Sequence, residues 1–441
     1  MKQSQITSDT YIVEVSSLSH DGRGIAVIQG KTTFIQGALP GEKIRCKLIS
    51  QHTRYNEAEI LEVKELAIER VTPGCSHFGI CGGCSLQHLS NAAQLKLKQD
   101  ALIEQLQHFG NIKPQNLLPP LTMHPWGYRR KARLGVRYVI KKNKVLVGFR
   151  EKRHHYLADI HSCPVLHENI GLHINELSNI IRSLDNYKDI PQIEVAVGEN
   201  ATALVFRHLQ PLTAADQEKL IAFANKHQFH LYLHPNPPNV PHKLWPVEQP
   251  ERLCYYLPNY HITMHFHPLD FTQINFEINN LMIQQAITLL DLRSEDEVLD
   301  LFCGIGNFTL PIARHAKRVT GIEGSERMVE RAKENAVYNN IINADFYTTN
   351  LQLSTTEQQK PWLQKTYTKI LLDPPRTGIK DLAPILPQLN AEKIVYISCN
   401  PATLARDAGA LAKDYQLTHA GIMNMFPHTE HIETMAVFER N

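Results

Sequence analysis

The chain has 441 residues, 43% of them apolar, with 46 Lys and Arg against 44 Asp and Glu. That length predicts two or three domains, each able to bury a core. A net charge of +2 excludes a strong polycation. No apolar run reaches a membrane span, and the first residues lack a secretory leader pattern, so a cytoplasmic protein is expected. In that setting the eight cysteines point to metal binding or catalysis rather than disulfides.

Residues 1–66 read as short strands at 11–15, 22–27, 33–35, 43–49 and 58–63. Five strands in so short a stretch predict a small closed barrel of the OB type, a frequent nucleic-acid binder. Cys46 falls inside an alternating strand and reads as a small buried hydrophobe.

A central domain over 67–268 opens with Cys75, Cys81 and Cys84 in a loop with Gly74, Gly79, Gly82 and Gly83. Cys163-Pro164 follows much later. Glycines let thiolates converge, and four of them suit tetrahedral zinc or a [4Fe–4S] cluster equally on spacing. Next come a polar helix at 90–109, able to pack on the catalytic domain, and a proline-rich linker at 113–125. Between Arg129 and Arg153 lie eleven Lys and Arg and one acid, Glu151, among Trp126, Tyr128, Tyr138, Phe149 and Tyr156. That pattern suits a nucleic-acid partner, with Arg133 a candidate contact; a solvated hairpin is the plainer alternative. Strands at 192–197, 201–206 and 230–233 and a helix at 213–226 complete a mixed α/β region.

Residues 269–441 alternate helix and strand, which predicts a parallel sheet covered on both faces. The strand at 297–302 runs into Gly304 and Gly306, which let backbone approach a ligand. Glu323 ends the next strand, where a carboxylate can take two ribose hydroxyls. A dinucleotide fingerprint needs a third glycine where Thr309 stands, so a nucleoside without phosphates, such as S-adenosylmethionine, fits better.

Two more strands end on chemistry: 370–372 on Asp373-Pro374-Pro375-Arg376, and 393–398 on Cys399-Asn400-Pro401. Ligands of open α/β sheets bind at those carboxyl ends, so Cys399 is a candidate nucleophile. A thiolate adding to C6 of uracil makes C5 nucleophilic, and a base must then remove the C5 proton. Such a thiol is expected to have a lowered pKa. Glu433, leading into an apolar strand, is the candidate base, and Glu430 its rival.

Together, Ser398-Cys399-Asn400-Pro401, Asp373-Pro374-Pro375-Arg376-Thr377-Gly378 and His431-Ile432-Glu433 resemble the RNA (uracil-5)-methyltransferase family. The resemblance covers essentially the whole chain. The barrel is similar to a TRAM domain and the cysteine segment to the family's iron–sulfur domain. Both point to the 23S ribosomal RNA branch, because the tRNA branch is similar only in its catalytic half.

The resemblance implies an α/β Rossmann-like methyltransferase domain, an N-terminal TRAM barrel, and a central α+β domain with a [4Fe–4S] cluster on Cys75, Cys81, Cys84 and Cys163. It implies Cys399 as nucleophile and Glu433 as base. Gln273, Phe302, Asn307, Glu323, Asn350 and Asp373 would line the S-adenosylmethionine site, though Asp373 could instead touch the uracil. The implied partner is 23S ribosomal RNA, at uridine 1939 of the bacterial numbering, with another rRNA or tRNA uridine as the alternative. Phe271, beside Gln273, is a candidate stacking surface for the base. RNA cytosine-5 enzymes carry a second cysteine after the strand-four proline, where this chain has Pro375 and Arg376. A non-catalytic RNA-binding assembly factor would not need Cys399 and Glu433.

Overall fold

The computed structural model describes residues 9–236, 240–351 and 361–441. At the N-terminus β1 (Thr10–Glu14), β2 (Ser17–Leu18), β3 (Gly24–Ile28), β4 (Lys31–Gln36), β5 (Lys43–Gln51) and β6 (Tyr55–Glu65) form one sheet in the order β1-β5-β6-β4-β3-β2. Alternation explains it: Ile44, Cys46 and Leu48 of β5 turn inward onto Ala26, Ile28, Ile35 and Ala58. Lys43, Arg45 and Lys47 turn out, and Arg45 pairs with Glu62 at 3.2 Å.

Helix α1 (Asn91–Gly110) starts at Ser90, whose hydroxyl accepts from the Ala93 N–H at 3.2 Å, an N-cap. Ala101, Leu102 and Leu106 enter the core of the C-terminal domain. The segment expected as a linker is instead structural. β7 (Asn116–Leu117) adds to the edge of the C-terminal sheet, and the Leu118 and Leu121 N–H groups donate to Ala420 and Ile422 carbonyls at 2.9 and 3.1 Å. An exposed sheet edge leaves such groups unpaired, and this strap covers them.

The central domain is built from β8 (Lys131–Val139), β9 (Lys144–Gly148), α2 (Glu168–Gly171), α3 (Ile174–Arg182), β10 (Gln192–Val197), β11 (Thr202–His208), α4 (Ala214–His227), β12 (Phe229–Pro235) and β13 (His242–Trp245). Its sheet runs β13-β12-β11-β10-β8-β9. Several of the basic residues are neutralised at home: Lys142 and Lys144 reach Asp159 at 2.9 and 2.7 Å, and Arg133 reaches Glu194 at 3.3 Å.

A hairpin that the periodicity did not reveal, β14 (Leu253–Leu257) and β15 (Ile262–Phe266), packs with the C-terminal core. Further on come α5 (Phe276–Leu290), β16 (Glu297–Leu301), α6 (Thr309–Ala313), β17 (Arg318–Glu323), α7 (Glu326–Tyr338), β18 (Ala344–Thr348), β19 (Lys369–Leu372), β20 (Lys393–Ser398), α8 (Pro401–Leu411), β21 (Tyr415–Met423) and β22 (Glu433–Arg440). Asn335 and Asn339 of α7 bind the backbone of β15 through both ends of their amides, at 2.8 to 3.1 Å.

The C-terminal sheet runs β18-β17-β16-β19-β20-β22-β21-β7. Its first five strands are parallel, and β22 is antiparallel to both neighbours. The order reverses between β16 and β19, so the crevice at their carboxyl ends is the ligand position for this fold. Among the described residues no helix is long and apolar enough to cross a membrane.

Candidate active site

The crevice is lined by Tyr255, Phe271, Gln273, Phe302, Gly304, Asn307 and Asp373, among others. Phe302, Gly304 and Gly306 have φ of 65°, 55° and 92°, so the chain leaves β16 in a left-handed turn that brings backbone to the cavity. Glu323 accepts from the Gly304 and Ser325 N–H groups at 3.1 and 3.0 Å, which fixes its carboxylate at the rim. Asn307 is pinned from behind: it exchanges two hydrogen bonds with Asn279, at 2.9 and 3.1 Å, and accepts from the Tyr255 hydroxyl at 2.7 Å. Gln273 donates to Asp373 at 3.5 Å. Phe271 is 70% exposed at the mouth. Cys303 is buried, and its thiol is held protonated by that burial, a packed group as the sequence suggested.

Asp300 was not anticipated. It sits fully buried inside β16, with one oxygen bound by Thr309 at 2.5 Å and the other without a partner. Burial raises its pKa to about 7, and Asp373 and Glu323 add repulsion. Desolvation also raises Asp373 to about 7. A carboxylate in the middle of an apolar strand was the available signal.

Cys399 follows β20. Asn400 caps α8 by accepting from the Ala402 N–H at 3.1 Å, and its own amide donates to the Arg376 carbonyl at 3.2 Å. The loop after β19 is thereby tied to the loop bearing the thiol. Ser398 pairs with Thr434 across β20 and β22. That is the last pair of the ladder; Cys399 comes next in the chain after Ser398 and Glu433 just before Thr434, and Glu433 bears electrostatically on the thiol. Glu433 is only 8% exposed; burial, then the Asp373 charge, raise its pKa to about 8 against opposition from Arg376 and Lys98. Burial, with help from Glu433, raises the Cys399 thiol to about 11, and Arg376 is the side chain that opposes this. The lowered thiol pKa expected from the chemistry is therefore not the resting condition of the site. Glu430, the rival acid, accepts from the Ser85 hydroxyl of the cysteine loop and lines the groove above Cys399.

Cys75, Cys81, Cys84 and Cys163 line one small cavity with Phe78, Phe149 and Pro164. Each is a free thiol. Burial raises Cys81, Cys84 and Cys163, and the sulfurs repel one another once ionised. No three of them come within 4.8 Å of each other; among the described residues only His173, Glu176 and His227 form so tight a group, and Lys226 already pairs with that Glu176 at 2.8 Å. The cysteine loop also supports the catalytic side. The Ser85 and Leu86 N–H groups both donate to the His428 carbonyl at 2.9 Å, and Trp126 packs on the His428 ring at 4.0 Å.

A groove of about 650 Å³ opens above Cys399. Its walls are Ser19, His20 and Phe34 of the barrel, His108 and Phe109 of α1, and Arg376 and His431 of the catalytic face. The structure thus gathers Cys399, Glu433, Asp373, Gln273, Phe302, Asn307, Glu323 and Phe271 at one rim. Asn350 follows β18, exposed, and does not line the crevice. Arg133 lies on the central sheet, held by Glu194.

Comparisons with known proteins match this arrangement. The tRNA (Uracil-5-)-methyltransferase model matches residues 257–441, and the TRAM domain model residues 7–61. The 23S rRNA (uracil(1939)-C(5))-methyltransferase RlmD of Hahella chejuensis is 48% identical, over 100% of this chain and 99% of its own. Its namesake from Alcanivorax borkumensis is 47% identical, over 100% and 98%. The fold is that of Pyrococcus abyssi tRNA (uracil-54, C5)-methyltransferase, solved with S-adenosyl-L-homocysteine, at a TM-score of 0.73 and 22% identity, over 97% of this chain and 100% of that one. At 48% and 47% identity along its full length, the chain belongs to the RlmD family of 23S rRNA (uracil(1939)-C(5))-methyltransferases.

Proposed function

We propose that this protein methylates C5 of a uridine in 23S ribosomal RNA, the one numbered 1939 in its relatives' names, with S-adenosylmethionine as methyl donor. The observation that carries the reading is the β20–β22 pairing, whose last pair, Ser398 and Thr434, brings Cys399 and Glu433 close enough to act on one another at the rim of the crevice. Bound S-adenosylmethionine supplies an electrophilic methyl group on a sulfonium. The crevice fits such a cation: its lining includes Asp373 but no Lys or Arg, and Asp300 and Glu323 stand behind it. Glu323 is suited to the ribose, and Gln273, Phe302 and Asn307 to the rest of the donor.

Cys399 adds through sulfur to C6, and the C5–C6 π electrons move out to make an enolate. C5 then takes the methyl group. Glu433 accepts the C5 proton, the double bond reforms, and the sulfur–C6 bond breaks. Arg376, exposed beside Cys399, favours the thiolate. The target is presented flipped out of its helix, with Phe271 a stacking surface and Arg133 a more distant backbone contact. The work is cytoplasmic.

The four cysteines are proposed to hold a [4Fe–4S] cluster with a structural role. Tetrahedral zinc with ~2.3 Å bonds would draw its sulfurs to ~3.8 Å of one another. The convergence of the four thiols on one small cavity with Phe78 and Phe149 supports a shared metal group, and the resemblance favours the cluster. Iron and sulfide analysis of anaerobically purified protein decides between them.

RNA carrying 5-fluorouridine tests the mechanism, since fluorine cannot leave as a proton. Cys399→Ala abolishes the covalent adduct, and Glu433→Gln traps a methylated adduct on ordinary uridine. A parent enzyme that forms no Cys399-dependent adduct sinks the proposal. Mapping 5-methyluridine in ribosomal RNA from a strain lacking the protein identifies the target, with a tRNA uridine as the competing outcome.

A further inference from the structure

Helix α1 carries polar residues where an apolar stripe belongs. Gln94 and Lys98, one turn apart, fall on the same buried face as Ala101, Leu102 and Leu106. Lys98 is 1% exposed. A lysine almost never sits so deep without a partner. Its ammonium donates to the Asn424 side chain and to the Phe426 carbonyl, both at 2.9 Å. Gln94 accepts from the His428 N–H at 2.9 Å. These three partners lie in the segment that joins β21 to β22 and delivers Glu433.

We propose that Lys98 is a positioning residue for Glu433: it clamps the loop that carries the base and supplies positive charge beneath it. This rests on Glu433 being the base. A clamp alone would need only a neutral donor. A buried ammonium costs much in desolvation, and it is useful where a carboxylate must be kept ionisable. Lys98 acts electrostatically on both Glu430 and Glu433. Both acids feel that charge, and Glu433 is the one that bears on Cys399. The other groups that face Glu433 are Asp373 and Arg376 from the loop after β19 and Cys399 from the end of β20. His428 and His431 of the joining loop feel Lys98 as well, and both are pushed toward the neutral form chiefly by burial. Among the described residues, Arg376 and Lys98 are the cations that oppose protonation of Glu433.

The test uses the full chain as Lys98→Met, which removes donors and charge, and Lys98→Gln, which keeps a donor and removes charge. Two rates are read: adduct formation on 5-fluorouridine RNA, which needs no proton removal from C5, and tritium release from RNA labelled at uridine C5. Both variants are expected to form the fluorinated adduct as the parent does. Tritium release should fall about two- to threefold at pH 7, where burial leaves Lys98 about half protonated, and the part of its acid limb below pH 7 should move up. Asn424→Ala, which loses an anchor and keeps the charge, should leave that limb in place. The proposal is overturned if the limb stays put in both Lys98 variants, if both lose adduct formation as severely as release, or if neither folds. A parent that forms no adduct overturns the assignment of Glu433 along with it.

Discussion

The raised pKa of Glu433 makes elimination the pH-sensitive step of the reaction. Glu433 opens β22, paired with Met423 of β21, and is buried there, where its charge is desolvated. Burial and Asp373 outweigh Arg376 and Lys98, so the carboxyl is protonated until about pH 8. Only the ionised form can take the C5 proton. At pH 7 about one molecule in eleven has that form, and at pH 9 about ten in eleven. Elimination should therefore speed up by about tenfold over that range. Lys98, lowered by burial to about 7, loses its proton over the same span and stretches the limb toward higher pH. Steady-state turnover would mix this limb with ionisation of Cys399, raised to about 11. The assay is accordingly a single turnover: the methylated adduct is formed at pH 7, the pH is jumped, and adduct decay and tritium release are followed by quench. Decay that is flat from pH 6 to pH 9, or that breaks near the ordinary carboxylate range, refutes the reasoning.

Asp300→Asn keeps an acceptor for Thr309 and removes a buried charge. The folded pKa of Asp300, about 7, lies above its ordinary 3.8, so the folded state holds a proton the unfolded state has lost, and stability declines as pH rises from about 4 to 7. The variant should melt higher than the parent at pH 8, with the gap closing by pH 4; equal melting at both values counts against a buried, unpartnered carboxylate. Gly110→Ala sets a methyl group 2.5 Å from the Ala405 carbonyl where α1 crosses α8. It should cost about 1–3 kcal/mol in urea unfolding, and an unchanged midpoint would mean that the helices part freely. Glu430→Gln should leave adduct decay near the parent rate while Glu433→Gln stops it; the reverse order would exchange their roles.

The strands that carry the chemistry were legible because each is a short apolar run that ends abruptly on a polar residue. β17 and β20 follow that rule, and Glu323 and Cys399 stand at their ends as expected. β7 was not legible, since two residues carry no period, and its pairing depends on a β21 edge more than three hundred residues away in sequence. The β14–β15 hairpin was missed because its open edge is paired not by a strand but by Asn335 of α7 and Asn339 at its C-cap, which bind the backbone N–H groups of His265 and Thr263. Lys98 and Gln94 looked like one polar surface of a polar helix, and only their distant partners show which face is inside. The direction of the Cys399 shift was also out of reach: sequence displays the cations near a thiol but not the burial that outweighs them.

That burial leads to one more expectation, concerning the donor rather than the RNA. Asp300 and Asp373, each raised to about 7, are close to half-protonated at neutral pH in the ligand-free crevice. A cation entering beside them favours their charged forms and pulls both pKa values down. S-adenosylmethionine should then bind with release of up to about one proton at pH 7, the sum of two half-filled sites. S-adenosylhomocysteine, which lacks the sulfonium, should release less. Calorimetry in buffers of different ionisation enthalpy reads this directly as a buffer-dependent heat. Asp300→Asn should remove part of the dependence and weaken the preference for the charged ligand. If the heats were buffer-independent for both ligands, the two acids would already be ionised in the empty crevice, and the electrostatic account of donor binding would fail. The same low-dielectric pocket that leaves Asp373 about half-protonated before the donor arrives lets its charge bear more fully on Glu433 and Cys399 afterwards, so occupancy of the crevice should be felt by the nucleophile and base.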